Sequence, residues 1–582
     1  MRDLKKLNRF FWKYKWRLSL GTAFIIISNY FGILAPQVTG FVVDQVSVLL
    51  SGSASAKATA TDPMLKWLFS SFEFVVSDVY AFVFFCGGLL LALALLRGFF
   101  MFLMRQTIIV MSRLIEYDQK NEVYSHYQQL DLMFYKVNST GDLMSRISED
   151  VSRVRMYTGP ALMYLINLIV LISISLYYML AKNALLSIYV LSPLPFLAIA
   201  MYFVNTYINR KSERIQEQLS DLTTHAQESY SGIRVIKSFA QEHASLRFFD
   251  EQSEAYRKSG LVLSALEAIY FPSIALLIGL STLLTIYIGS RFQLNHTVSA
   301  GTIAEFVVYI NMLTFPVSAI GWVASNIQRA AASQKRINAF LDTQPDIQSP
   351  ANALPIPHID SIQFDAVSYR YPHTGIRALH ELSFRLERGQ KMAIIGKTGS
   401  GKTTIAQLLI RLMDPDSGTI HINGIPATHI NLRDLRSRIS IVPQDVFLFS
   451  DSIENNIAFG DAQSNHETAT EMARDAFILD EINSLPLGMN TTIGERGVTL
   501  SGGQKQRISI ARALSKEYDL LILDDCLSAV DARTESAIAA NLNRILKYKT
   551  TIVITHRPIP SIHFDWVLEL EGGLSLSIKK SN

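Results

Sequence analysis

Long uncharged stretches alternate with charged ones through the first 330 residues. Six stretches, 18–43, 79–96, 157–181, 183–209, 268–290 and 306–328, contain no Asp, Glu, Lys or Arg. A helix needs ~20 apolar residues to cross the hydrocarbon core of a bilayer, and each stretch is near that length or longer. One such stretch alone could be a buried helix of a soluble protein. Six in succession predict a membrane domain of six transmembrane helices. Pro36, Pro160, Pro193, Pro195, Pro272 and Pro316 fall inside them, which membrane helices tolerate better than soluble ones.

The charged segments set the orientation. Residues 1–17, "MRDLKKLNRFFWKYKWR", hold seven basic residues interleaved with Phe10, Phe11, Trp12 and Trp16, the pattern of an interfacial helix. The apolar run that follows is too long for a signal-peptide core. Loop 44–78 holds only Lys57 and Lys66 and contains the flexible-looking "SGSASAKATATDP". Basic residues mark the cytoplasmic side, and an even number of spans returns the chain there. Both termini are therefore expected in the cytoplasm, and the long helical-patterned segments 97–156 and 210–258 with them. Within the spans, the uncharged Asn29, Asn167, Asn205 and Asn311 are candidates for lining a cavity. Glu267 and Glu305 sit at span margins, where snorkelling to the interface is the plain reading.

Near residue 337 the pattern changes. A proline-punctuated linker, placed at 331–360, leads to strand-like runs alternating with helical ones, as in an α/β domain. The expected organisation is an interfacial helix at 1–17, a transmembrane domain at 18–330 and a cytoplasmic α/β domain at 361–582. Composition agrees: 49% hydrophobic and 18% charged is too apolar for an ordinary soluble protein. A net charge of +4 gives no reason to expect a nucleic-acid partner. The two cysteines, Cys86 and Cys526, read as free thiols.

The α/β domain carries the chemistry. "GKTGSGKTT", from Gly396 through Lys397, Thr398, Gly399, Ser400, Gly401, Lys402 and Thr403 to Thr404, fits G-x-x-x-x-G-K-[ST] between a buried strand and a helix. Backbone N–H groups of such a loop wrap phosphates, and the helix N-terminus adds its dipole. Lys402 reaches the outer phosphates of ATP, and the Thr403 hydroxyl can ligate Mg²⁺. The strand "DLLILDD" ends at Asp524 and Asp525; Asp524 is the second anchor for the metal. Gln444, in "IVPQDVFLFS", can sense the metal and the attacking water. His556, ending "TIVITH", can contact the terminal phosphate. In "LSGGQKQRISIARAL", Ser501, Gly502, Gly503 and Gln504 open a helix whose first turn would present N–H groups to an anion.

With these motifs in this order, the sequence resembles the ATP-binding cassette transporters, most of all the bacterial half-transporter exporters related to lipid flippases and multidrug pumps. The resemblance covers nearly the whole chain and rests on "GKTGSGKTT", "VPQDVFLF", "GERGVTLSGGQKQR", "LILDDCLSAVD", "ITH", the six spans and "ESYSGIRVIKSFAQE". It implies that Tyr371 lies against adenine and that "GERG" (Gly494 to Gly497) contacts the membrane domain. It also implies a dimer in which Ser501–Gln504 of one chain close over ATP held by the other.

One residue departs from the family. Where Glu usually follows the metal-binding Asp, this chain has Asp525, shorter by one methylene, ~1.5 Å. A misplacement of about 1 Å can cost on the order of 10²-fold in rate. Either Asp525 positions water poorly, or the local backbone shifts to compensate. The first alternative, with the signature retained, resembles the weak-site half of a heterodimeric exporter; the second allows a homodimer with Asp525 as working base. The expected function is ATP-driven export or flipping of a hydrophobic or amphipathic substrate, lipid or drug-like, across the cell (inner) membrane. An importer is disfavoured because the membrane and ATPase parts are fused. A peptide exporter with an N-terminal protease is disfavoured by the short segment before the first span. A non-transporting, ATP-gated membrane regulator is the rival from a different class.

Overall fold

A computed structural model describes residues 3–51, 62–71, 79–295, 297–461, 463–494, 500–527, 532–557, 559 and 562–580. The chain divides into two compact units, Met1–His126 with Gly141–Thr343, and Tyr127–Thr140 with Gln344–Asn582.

The first unit is helical. Its long helices are Lys15–Ser51, Val79–Tyr127, Leu162–Lys182, Pro193–Ser231, Glu242–Leu294 and Ala300–Leu341. Much of segments 97–156 and 210–258 is a continuation of these helices beyond the apolar stretches. Among the described residues, Lys15–Val48, Tyr80–Tyr127 and Thr140–Lys182 are long and apolar enough to cross a membrane, and Ala300–Leu313 is a shorter apolar helix. The other predicted spans lie in helices some of whose side chains fall outside the described residues. The N-terminal segment forms two short helices, Asp3–Leu7 and Asn8–Lys13. Trp12 and Trp16 are exposed there while Phe10 is buried.

Two expectations are revised by packing. The segment read as a linker from residue 331 begins as helix, because Ser333, Gln334, Ile337 and Phe340 continue the buried face of Ala300–Leu341. Glu305 does not snorkel: it is 1% exposed, with Lys182 Nζ 3.3 Å from its Oε2 and the Tyr309 hydroxyl donating to Oε1 at 3.1 Å. A carboxylate is tolerable there only because it is paired and hydrogen-bonded. Of the candidate asparagines, Asn29 and Asn167 line a cavity. Asn29 Nδ2 donates to Asn167 Oδ1 at 2.8 Å, whereas Asn311 is exposed and donates to its own helix at Val307 O, 2.8 Å. The Asn205 side chain, and residues 52–61 and 72–78 of loop 44–78, lie outside the described residues.

Among the described residues the second unit holds ten strands: β1 (Ser361–Arg370), β2 (Arg377–Glu387), β3 (Lys391–Gly396), β4 (Ser417–Ile422), β5 (Ile425–Pro426), β6 (Ile439–Val442), β7 (Leu520–Asp524), β8 (Thr550–Thr555), β9 (Trp566–Glu571) and β10 (Leu574–Lys580). A small antiparallel sheet runs β2-β1-β4-β5, and a six-stranded sheet runs β10-β9-β3-β8-β7-β6. In the larger sheet β3, β8, β7 and β6 are parallel neighbours. Every residue of β7 and of β8 is buried, as expected of strands covered on both faces. Parallel order puts the carboxyl ends of these four strands along one edge, where open α/β sheets bind ligands.

Candidate nucleotide site

Each of those four strand ends delivers a residue singled out by sequence. β3 runs into the loop from Gly396 and the helix Lys402–Leu409, β6 precedes Gln444, β7 ends at Asp524, and β8 is followed by His556. A cleft there is lined by Tyr371, Thr398, Gly399, Gly401, Lys402, Thr403, Thr404, Gln444, Asp524, Asp525 and His556.

The loop is shaped by close approaches. Gly401 has φ +94°, and a Cβ on it would lie 2.2 Å from Ala378 O, so no other residue fits. Lys402 Nζ donates to Gly396 O at 2.7 Å and to Lys397 O at 2.8 Å, which folds the loop around its own ammonium. Ser400 is 3% exposed and its hydroxyl has no hydrogen-bond partner. A buried, unsatisfied hydroxyl inside a ring of backbone amides suits a loop built to meet a polar ligand.

The acidic end sits opposite. Thr403 Oγ1 donates to Asp524 Oδ1 at 3.2 Å, so the two side chains proposed to hold Mg²⁺ converge. Burial pushes the Asp524 carboxyl above the usual range, with the nearby Asp525 charge adding to it. Burial likewise lowers the Lys402 ammonium. Asp525 has φ +48°, and its N–H donates to Ile554 O at 2.9 Å. Its carboxylate lies 3.1 Å from His556 Nε2, and His556 Nδ1 lies 3.4 Å from Lys402 Nζ. The same Nδ1 lies 3.3 Å from Gly396 O, so the imidazole sits between the phosphate loop and the acidic strand end.

Tyr371 closes the other end, its hydroxyl 3.0 Å from Thr404 Oγ1. Lys136 Nζ lies 4.7 Å from the centroid of its ring. Lys136 belongs to the short helix Leu132–Val137, which packs within this unit: Met133 Sδ is 3.8 Å from the Tyr369 hydroxyl, and Asp131 accepts from Asp346 N at 2.9 Å. From its place midway along a charged loop, the segment Leu130 to Leu143 is expected to dock on the α/β domain, but sequence reading did not single out Lys136, because nothing local links it to a strand so far along the chain.

The signature residues lie apart from the cleft. Ser501 caps the helix Gly502–Ser515, accepting from Gln504 N at 3.2 Å while its own N–H donates to Gln504 Oε1 at 2.8 Å. Gln504 Nε2 is anchored on Glu481 at 2.9 Å. Ser501 and Gly502 are exposed, Gly503 and Gln504 half-buried. Of "GERG", only Gly494 is among the described residues, and the end of "LILDDCLSAVD" from Ser528 lies outside them.

Comparison with known proteins agrees with this geometry. Residues 18–317 match the family model of the ABC transporter transmembrane region, and residues 379–528 match the ABC transporter family model. A probable multidrug resistance ABC transporter ATP-binding/permease protein of Bacillus subtilis, YheI, is 32% identical over 98% of this chain and 93% of its own length. The multidrug resistance-like ATP-binding protein MdlA of Escherichia coli is 32% identical over 96% and 90%. An ATP-dependent lipid A-core flippase of Pseudomonas fluorescens is 30% identical over 93% and 91%. A solved bacterial Atm1-family ABC exporter with ATP bound shares the fold, with a TM-score of 0.74 at 24% identity, over 99% of this chain and 95% of that one. With a helical membrane region and an ATPase in one polypeptide, the chain belongs to the ABC transporter family, as a half-transporter whose ATPase drives transport.

Proposed function

We propose that this chain is one half of a dimeric exporter that moves a hydrophobic or amphipathic substrate, lipid or drug-like, out across the cell membrane by alternating access. The observation that carries the reading is the single cleft gathering Lys402, Thr403, Gln444, Asp524 and His556, with Ser501–Gln504 left on the surface. A site whose signature residues lie elsewhere suits closure by a second chain. The names of the multidrug and flippase relatives support the substrate class. Both termini and the α/β domain are assigned to the cytoplasm.

Within the site, Lys402 and the loop Gly396–Thr404 hold the phosphates of ATP, and Tyr371 takes the adenine. Thr403, Gln444 and Asp524 are the residues to hold Mg²⁺, which supplies neutralisation of the outer phosphates when bound. His556 contacts the terminal phosphate. Asp525 is the position for the base. We assign this chain to a heterodimer, as the half with the weaker site, because the shorter Asp525 carboxylate is engaged by His556. ATP binds the closed and open arrangements with different affinity, and that difference shifts the membrane domain between its two states.

The test is ATP-dependent movement of a fluorescent lipid or dye by the purified complex in proteoliposomes. Transport that requires ATP and is lost in Lys402→Ala supports the reading. ATP turnover with no movement of any amphiphile contradicts it and favours an ATP-gated regulator. A homodimer is the second reading: the 3.1 Å approach of His556 to Asp525 would also serve a working base held in place.

A further inference from the structure

The helix Gly502–Ser515 opens with donors that its own cap selects. The Ser501 N–H is consumed by Gln504 Oε1 at 2.8 Å, and the Gln504 N–H by Ser501 Oγ at 3.2 Å. The Ser501 oxygen accepts in that pair, so its hydroxyl hydrogen stays available. The N–H groups of Gly502 and Gly503, at the first two helical positions, have no acceptor within the helix. One hydroxyl and two amides therefore face an incoming anion, provided the Gln504 side chain keeps its oxygen toward Ser501.

Nothing within the first turn fixes that orientation. A carboxamide turned end for end would set its nitrogen against the Ser501 N–H, donor against donor. Glu481 removes the ambiguity. Its Oε2 accepts from Gln504 Nε2 at 2.9 Å. Its Oε1 accepts from Arg507 Nη1 at 2.7 Å, and the same nitrogen donates to Phe477 O at 2.8 Å. Paired with an arginine, the carboxylate is ionised and accepts only, so the amide nitrogen alone suits it. Arg507 is 8% exposed and lies one turn beyond Gln504, so Glu481 ties two turns of one helix together. Glu481 itself belongs to the short helix Leu479–Asn483, seated by Ile482, which is 2% exposed. A carboxylate close to a turn that meets phosphate would by itself repel the ligand. Arg507 offsets that charge and leaves Glu481 its work as an acceptor.

We propose that Glu481 is a positioning residue for ATP turnover in the closed dimer: it fixes the Gln504 amide, so that the Ser501 hydroxyl and the Gly502 and Gly503 amides are the donors presented to the phosphate. The inference rests on the dimer reading, in which Ser501–Gln504 close over ATP held by the second chain. Without Glu481 the Gln504 amide turns freely, the Ser501 N–H loses its acceptor, and the first turn frays. ATP still binds the open arrangement, because Glu481 lies outside the cleft that holds it. Closure over that ATP is what suffers. A role confined to stability would lower binding and turnover together.

The test uses the full complex with its co-purified partner, carrying Glu481→Ala or Glu481→Gln in this chain. Photolabelling by azido-ATP on ice reads binding, and steady-state turnover with vanadate trapping reads closure. Glu481→Ala should lower kcat about tenfold, the loss of one charge-assisted hydrogen bond, with photolabelling unchanged. Glu481→Gln keeps one acceptor oxygen and the same size, and should fall between Glu481→Ala and the wild type. Trapping on the second chain should fall with kcat. Wild-type turnover in Glu481→Ala overturns the proposal, and so does a parallel loss of photolabelling and kcat in both variants. Ser501→Arg separates this from the dimer reading. If Ser501→Arg blocks trapping and Glu481→Ala does not, the role of Glu481 alone is wrong; if Ser501→Arg leaves trapping intact, the closure in trans is wrong and the proposal falls with it.

Discussion

The Lys136 ammonium lies 4.7 Å from the centroid of the Tyr371 ring, joining a short helix from the membrane-domain sequence to the proposed adenine position. A cation over an exposed aromatic face is worth about 0.5–1 kcal/mol, and a base stacked on an aromatic ring about 1–3 kcal/mol. Tyr371→Ala should therefore weaken nucleotide binding by about tenfold or more, and Lys136→Ala by about two- to fivefold. Titration with a fluorescent ATP analogue separates them; no effect of Tyr371→Ala would remove the adenine assignment.

Loss of the phosphate-loop cation should be more severe. Lys402→Ala removes the cation of the phosphate loop and frees the Gly396 and Lys397 carbonyls it ties together. Photolabelling of this chain by azido-ATP should disappear while membrane insertion is retained. Labelling at the wild-type level would contradict the site.

The helix Leu132–Val137 should couple the two halves of the chain. Phe134 and Tyr135 stack edge to face with centroids 5.5 Å apart. Phe134→Glu should prevent assembly or leave ATP turnover that no longer drives transport. The readout is the ratio of substrate moved to ATP consumed, and a wild-type ratio would count against docking by this helix.

Lys182 and Glu305 offer a stability test inside the helical unit. With Glu305 1% exposed and Lys182 3.3 Å away, Lys182→Ala leaves a buried carboxylate without its cation. Removing one partner of such a pair costs about 3–5 kcal/mol. Thermal unfolding in detergent should shift clearly downwards, and the double variant Lys182→Ala/Glu305→Gln should recover much of the loss.

Much of this was legible in the sequence, for reasons that are local. The loop at Gly396–Thr404, the capping box at Ser501 and Gln504, and the buried runs of β7 and β8 are set by nearby residues. Parallel strand order then brings Gln444, Asp524 and His556 to one edge with no further information. What was not legible depends on distant partners. Glu305 looked like a marginal charge because Lys182 is remote in sequence. Residues from 331 looked like linker because their polar residues hide a buried face completed by Ile337 and Phe340. Arg97 looked like the first residue of a charged loop, although its helix continues apolar to Met104.

Asp525 carries the account's most specific claim, that this chain's own ATP site is the weak one of a pair. Its side chain lies 3.1 Å from His556 Nε2 and is one methylene short of the family's Glu. The direct measurement is steady-state ATP turnover by the complex carrying Asp525→Asn, Asp525→Glu or Ser501→Arg in this chain. The account predicts little loss for Asp525→Asn, a gain at this site for Asp525→Glu, and severe loss for Ser501→Arg, which obstructs closure over the partner's ATP. If Asp525→Asn alone abolishes turnover, Asp525 is a competent base and the asymmetric pair is wrong.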